Sequence, residues 1–437
     1  MAHSNSNSLM EKIRGYSVPL ILGVIVAVIW ANVHWDSYHH FVHLKVIGSL
    51  DVHFLVNDIF MVFFFAIAAI EITMSCLPGG SLNPIKKAVN PLFATIGGVL
   101  GPIAVFFILN SLIGAPEFAR GWGIPTATDI ALAWLLARVI FGAGHPAVSF
   151  LLLLAIADDA IGLGIIAIFY PNPDLPTQPI WLLSTLAGMI IVYIMRRLGV
   201  RSFIPYLTIG GLFSWFGLYN AGLHPALSLV VIVPFLPHVR KQPEEDISSA
   251  VSMSGEAKGD NDSLLACDVN NPNDDGLLDC DPEDHDHIYR SGHSTLLDCE
   301  IKFRPFVDFG LFFFGLTNAG VQFTSMSGLT WIVLFSLLIG KTVGVFTFGR
   351  IAEVIGFPLP DGMTRTHLAT AGLIAGLGLT VALFVAGVAF VDPTIQGAAK
   401  MGALFSALVF ILAPIFARFM GVKKEEVVEH QRQVETE

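Results

Sequence analysis

Leu151-Leu152-Leu153-Leu154-Ala155-Ile156-Ala157-Asp158-Asp159-Ala160-Ile161-Gly162 sets two adjacent aspartates inside an apolar run, with no other charge for a full helical turn on either side. A charge at mid-bilayer costs at least about 2.5–3.5 kcal/mol on insertion scales, so an ionisable residue there marks a function. Successive helical residues point about 100° apart, which lets both carboxylates border one cavity. Two close carboxylates in a low dielectric do not both ionise easily. A proton relieves the conflict, and so does a metal cation. A site that must hold one or the other exchanges them. A salt-bridged packing pair is the plainer reading, but one lysine cannot neutralise two aspartates.

Outward from this pair the chain stays apolar. Of 437 residues, 54% are hydrophobic and 14% charged, with a mean hydropathy of +0.68; soluble proteins carry about 25% charged residues. This is the composition of an all-α polytopic membrane protein, and it lacks the basic surface of a nucleic-acid binder. The net charge of −11 is local. Residues 238–300 hold 16 acidic and 4 basic groups, or −12, and the rest sums to +1.

A bilayer span needs about 20 mostly apolar residues. Candidates lie near 17–33, 56–74, 89–112, 121–140, 147–170, 180–195, 202–219, 222–237, 304–324, 329–349, 367–390 and 396–419, which makes twelve. The first follows Lys12 and Arg14 with no small-x-small cleavage site, so it reads as a span and not as a signal peptide. With the N-terminus inside, 20 of the 24 basic residues fall on one face, Lys45, Arg120 and Lys400 fall outside, and Lys341 lies within a span. The positive-inside bias then predicts twelve spans with both termini cytoplasmic.

Membrane body is therefore expected over 1–237 and 301–421, with a cytoplasmic tail at 422–437. The acidic insert 238–300 has too little apolar surface to fold unaided. It carries three LLxC-acid copies, at 264–268, 277–281 and 296–300. A calcium-like spacing at Asn271–Asp279 and a transition-metal set of Cys280, His285 and His287 are weaker readings of it. The four cysteines, Cys76, Cys267, Cys280 and Cys299, form no disulfide framework. On the outer face, 34–53 predicts a short hairpin holding five histidines.

Further ionisable residues fall inside spans: Asp58 and Glu71 in the second, Asp129 in the fourth, Lys341 in the tenth. Gly123-Ile-Pro-Thr-Ala-Thr-Asp129 predicts a broken helix, since Pro125 removes a backbone donor. Asp129 would offset the positive end of a half-helix, and Thr128 could offer oxygen to a hard cation. Gly372-Leu-Ile-Ala-Gly-Leu-Gly-Leu-Thr380 predicts a second break in span eleven. Interrupted helices in matching positions of two three-span groups mark an inverted-repeat transporter with a midplane site. Lys341 is placed to neutralise exposed carbonyl ends, an aspartate, or both in turn. His224 and the outer histidines could tune a pH response or simply pack.

Together these residues resemble the NhaA family of bacterial sodium/proton antiporters, itself an inverted-repeat example. The matching stretches are Gly121–Ala131, Ala155–Gly162, Leu316–Gly320, Leu338–Lys341, and Ala389–Pro393 with Ala399-Lys400-Met401-Gly402. The resemblance implies the NhaA fold, with spans four and eleven crossed at their breaks. It implies that Asp159 is the main carboxylate for cation and proton, that Asp158 pairs with Lys341 in one state, and that Thr128 and Asp129 belong to the crossing. It places Glu71 in a cytoplasmic pH-regulating funnel, with Asp58 at the family spacing from it. It further implies an electrogenic homodimer in the bacterial inner membrane that exchanges Na⁺ or Li⁺ for H⁺. Such a protein is a secondary transporter, not an enzyme, and it has no cofactor. Family members usually follow the funnel glutamate with a basic pair, whereas Ile72-Thr73-Met74 stands here. The long insert has no counterpart in the typical member, and Asp308 has no family role to inherit.

Three rival readings stay open on sequence grounds. A sodium-coupled organic-anion symporter would need a dedicated substrate pocket. An intramembrane aspartyl protease needs aspartates on different helices around one water. A sensor that keeps the fold without transport is suggested by the insert alone.

Overall fold

The computed structural model describes residues 17–48, 50–83, 85–171, 178–237, 294–422 and 424. The first two LLxC copies, the calcium-like spacing, Cys267, Cys280, His285, His287, most of the 238–300 insert and nearly all of the tail lie outside the described residues.

The helices in chain order are α1 (Val18–Val33), α2 (Trp35–Val42), α3 (Val52–Cys76), α4 (Ile85–Ile113), the 3-10 helix α5 (Pro116–Thr126), α6 (Ile130–Phe141), α7 (Pro146–Phe169) and α8 (Pro179–Arg197). Then come α9 (206–221), α10 (Thr295–Asn318), α11 (Gly328–Ile355), α12 (Arg365–Ala375), α13 (Thr380–Ala389) and α14 (Pro393–Phe419). Between α2 and α3, β1 (Lys45–Ile47) pairs antiparallel with β2 (Leu50–Asp51) across a turn where Gly48 takes φ 59°.

Six described helices are long and apolar enough to cross a bilayer, or up to eight if each bent pair counts as one span. The pairs are α5 with α6, bent by 57°, and α12 with α13, bent by 47°. Each pair sits between two long helices in the chain: α4 and α7 flank the first, and α11 and α14 flank the second. The first bend has a local cause in Pro125, and the second in the flexible Gly376-Leu377-Gly378.

One expected span is not a helix. Residues 222–237 follow a left-handed Gly222 cap and contain only the 3-10 turns Pro225–Leu227 and Val233–Phe235. Pro225, Pro234 and Pro237 break any longer helix. The stretch is apolar because it is buried: Ala226, Ile232 and Val233 have no exposed surface. Hydropathy reports removal from water and does not say whether lipid or protein takes its place. The helix expected from about 304 instead starts at Thr295, so residues 295–300 of the expected insert are helical, with Leu296 and Cys299 buried.

Helices α4 and α11 meet backbone to backbone at two pairs of glycines. A Cβ on Gly344 would overlap the Gly97 carbonyl oxygen, and one on Gly101 would overlap that of Gly340. Small residues four apart let backbones touch in this way, as in membrane helix dimers. Gly340 precedes Lys341, so this contact fixes where the lysine starts. A π-helical turn, Ser336–Gly340, leads into the same residue, and another, Leu55–Phe60, carries Asp58. Such turns recur at functional sites.

Two predictions follow from these contacts. Gly344→Ala forces overpacking against α4, which costs on the order of 1–3 kcal/mol. It should lower the melting temperature of the detergent-solubilised protein, and an unchanged melt would show that the contact is not needed. The second concerns the hairpin. Burial pushes the Asp51 carboxyl up, but the Phe54 N–H and the nearby His43 and His53 together pull it below its ordinary 3.8. A carboxylate lowered in the folded state stabilises above its ordinary pKa and loses that contribution as pH falls through the lowered value. Protection of the 45–54 amides, taken relative to intrinsic exchange at each pH, should therefore fall only at strongly acid pH, and Asp51→Asn should show no such acid step.

Candidate functional site

Asp158 and Asp159 lie near the middle of the 24-residue α7. Asp158 has no exposed surface and Asp159 has 8%. Asp158 Oδ2 accepts hydrogen bonds from the Lys341 ammonium and from Thr128 Oγ1, the latter at 2.8 Å. Lys341, also fully buried, donates to the Thr126 carbonyl at 2.7 Å and to Thr128 Oγ1 at 2.8 Å. Oδ1 of Asp158 and Oδ1 of Asp159 are buried with no hydrogen-bond partner among the described residues. Leaving a buried polar atom unpaired costs about 1–3 kcal/mol, more when the group is charged.

The two helix breaks meet beside this pair. The Asp129 N–H donates to the Leu377 carbonyl at 2.6 Å, and Thr128 Oγ1 lies 2.9 Å from the Ala375 carbonyl. One hydroxyl hydrogen thus serves two acceptors, Asp158 and Ala375, in turn. Asp129 caps α6 through the Leu132 N–H at 3.2 Å, and its other oxygen accepts from the Thr380 N–H at 3.3 Å, at the start of α13. A single carboxylate therefore faces the positive ends of two half-helices. The opposite half-helix ends expose carbonyls. Lys341 answers the one at Thr126, where α5 stops, and Thr128 answers the one at Ala375, where α12 stops. Unwound backbone at membrane depth is tolerated where protein groups re-satisfy it in this way.

Asp158, Asp159, Thr128, Asp129 and Lys341 thus form one cluster, drawn from α7, α11 and the break between α5 and α6. The other singled-out residues stand apart from it. Glu71 lies near the far end of α3, where Arg304 of α10 binds it at 2.5 Å and binds Glu300 at 2.7 Å. Asp308 is within electrostatic reach of this trio, and Glu71 is within reach of Asp159. The basic partner missing after Glu71 in sequence is therefore supplied from another helix. Asp58 sits in the π-helical turn of α3, and its carbonyl accepts from Trp215 Nε1 at 3.4 Å. The His224 ring packs edge-on against Phe384 of α13 at 4.8 Å, and its Nδ1 accepts from the Ala226 N–H.

Three groups, two beside the cluster and one at the Glu71 trio, carry no such signal in the sequence. The Thr126 carbonyl is backbone and has no residue-type signal. Ser406 of α14 accepts from the Gly378 N–H at 3.3 Å and pins the second break. Arg304 precedes Pro305 at the expected start of a span, where a basic residue looks like an ordinary interface anchor. Among the described residues no group of three or more His, Cys, Asp or Glu is gathered as a metal site.

Comparison with known proteins finds matches over nearly the whole length of the chain. The family profile "Na+/H+ antiporter 1" matches residues 7–417. The Na(+)/H(+) antiporter NhaA of Desulfitobacterium hafniense is 56% identical over 421 residues, covering 96% of this chain and 98% of that protein. Its namesake in Geobacter sulfurreducens is 54% identical over 412 residues, covering 94% and 98%. A solved sodium proton antiporter, MjNhaP1 from Methanocaldococcus jannaschii, overlays with a TM-score of 0.49 at 14% identity and 95% coverage of each chain, too loosely to carry an argument. The extent and identity of the sequence matches settle the assignment: the chain belongs to the Na+/H+ antiporter 1 family.

Proposed function

We propose that the chain is a secondary active antiporter that expels cytoplasmic Na⁺ or Li⁺ in exchange for external H⁺ by alternating access. The observation that carries the mechanism is the pair of buried, unpartnered Oδ1 atoms on Asp158 and Asp159. They offer oxygen ligands to a hard cation, and when no cation is bound they take protons. Both cargoes cannot occupy them together, so binding one releases the other.

Asp159, bare of any hydrogen bond on Oδ1, acts as the main cation and proton carboxylate. Asp158 is held by Lys341 and Thr128 in the present state. An incoming Na⁺ draws Asp158 and Thr128 oxygens to itself and frees the ammonium, which keeps its hold on the Thr126 carbonyl. If Lys341 also trades its proton, more than one proton moves per ion and transport is electrogenic. Alkaline cytoplasm favours the deprotonated form that binds the ion. Asp129 holds the two half-helix N-termini together and stays close enough to contribute to the cation's field.

On this reading the apolar stretches complete a twelve-span body, with the non-helical 222–237 as an irregular eighth crossing and spans four and eleven crossed. Both termini and the Glu71–Arg304–Glu300 trio face the cytoplasm of a bacterial inner membrane. The trio, with Asp58 and His224 as further candidates, is where cytoplasmic pH would act. A homodimer joined through the β1–β2 hairpin is consistent with the exposed Leu44 and Val46 there.

Asp159→Asn in purified protein reconstituted into liposomes should abolish Na⁺-driven proton flux read by a pH dye. Retained exchange would sink the assignment. Asp129→Ala removes two caps at about 0.5–2 kcal/mol each, or about 1–4 kcal/mol together. Its melting temperature and flux should both fall, and Asp129→Asn, which still accepts hydrogen bonds, should lose less of each.

A further inference from the structure

The resemblance used Ala399-Lys400-Met401-Gly402, yet the mechanism above leaves Lys400 without a task. Its position is unusual. Lys400 lies on α14 eight residues into the helix, about 10 Å from its start at 1.5 Å per residue. It does not reach back to the surface as a snorkelling lysine would. Only 7% of it is exposed, and its stem runs along the last turn of α13, with Cε 4.0 Å from the place a Cβ on Gly387 would take.

A cation at a helix C-terminus often caps the final carbonyls. Here that task is already filled. Gln396, one turn earlier, donates Nε2 to the carbonyls of Gly387 and Phe390, both at 3.0 Å. Among the described residues Lys400 makes no hydrogen bond and no ion pair. Of the segments packed against its half of the helix, α13, Phe323–Ser325 and the first turns of α11 carry no ionisable side chain, and Glu117 and Arg120 of α5 are exposed; Arg365 and His367 of α12 and Arg138 of α6 lie on helices packed against the other half, 409–419. His53, at the start of α3, is within electrostatic reach. His43, Asp51 and His224 act on His53 in turn.

His53 and Glu71 are 18 residues apart on α3, about 27 Å. Lys400 therefore belongs to the end of the molecule away from the Glu71 trio. At the same end a chain of polar groups starts at the half-buried His53: its Nε2 lies 2.8 Å from Asn57 Nδ2, and the buried Asn57 and Asn318 exchange amide hydrogen bonds.

We propose that Lys400 is an electrostatic filter on the outer approach to the aspartate pair. When that side is hydrated its ammonium repels alkali cations, which weakens external Na⁺ binding relative to cytoplasmic binding and biases exchange toward efflux. This rests on the antiporter reading and on the orientation given with it. A unit charge several ångström from a cation, in an effective dielectric between those of protein and water, changes binding by a factor of about three to ten.

The test uses the full-length protein in oriented proteoliposomes, with apparent KM for Na⁺ measured from each face. Lys400→Met should lower the external KM about threefold or more and leave the cytoplasmic KM as the internal reference. Lys400→Arg, which stays charged at every accessible pH, should keep the external KM high at alkaline outer pH, where that of the wild type falls further than proton competition in Lys400→Met accounts for. Equal shifts at both faces, a shift at the cytoplasmic face alone, or no shift would overturn the filter. If Lys400→Met does not elute as folded protein, the pH profile of Lys400→Arg decides: a profile that overlays the wild type overturns the proposal. Retained exchange in Asp159→Asn is a separate result and would bring down the antiporter reading itself.

Discussion

The ammonium of Lys341, sealed from water, is shared between a carboxylate and the open end of a broken helix. Removing one partner of a buried charged pair strands the other at a cost of about 3–5 kcal/mol. The surroundings follow from that constraint. The lysine needs Asp158 on α7 and the Thr126 carbonyl on α5, so those elements must stop and start where they do. It also needs a fixed base, and the glycine contact between α4 and α11 supplies one. Thr128 then stands where a single hydroxyl accepts from Lys341 and donates to Asp158 or Ala375 in turn.

The half-helix ends are matched by sign. Two positive ends converge on Asp129, and two carbonyl ends are met by Lys341 and Thr128. Each such match contributes up to about 2 kcal/mol in a partly buried setting. This lets unwound backbone exist at membrane depth, and Oδ1 of Asp158 and of Asp159 take no part in holding the helices together.

The central residues were legible because lipid makes polarity costly. Asp158-Asp159 and Lys341 stand out from apolar runs, and Pro125 and Gly376-Leu377-Gly378 mark breaks by backbone chemistry alone. What was not legible required knowing neighbours. Residues 222–237 have the hydropathy of a helical span, but Pro225, Pro234 and Pro237 keep them out of a regular helix, and more than half of them are buried against neighbours. Arg304 completes Glu71 from a helix hundreds of residues away in sequence. Gly340 and Gly344 carry the GxxxG spacing, and only the facing Gly97 and Gly101 give that spacing a meaning. Lys400 looked like an outer-loop cation because a charge near a span's end is cheap in any topology argument; its burial is a fact of tertiary packing.

The bare seam between α4 and α11 has a mechanical consequence. Interlocked backbones resist shear, since at the glycine pairs no flexible side chain lies between the helices to repack as one slides past the other. The two helices must travel or stay as one rigid strut. Any stroke that parts Lys341 from Asp158 therefore places its slip plane between α11 and α7, and the aspartate helix with the half-helices beside it becomes the member that yields.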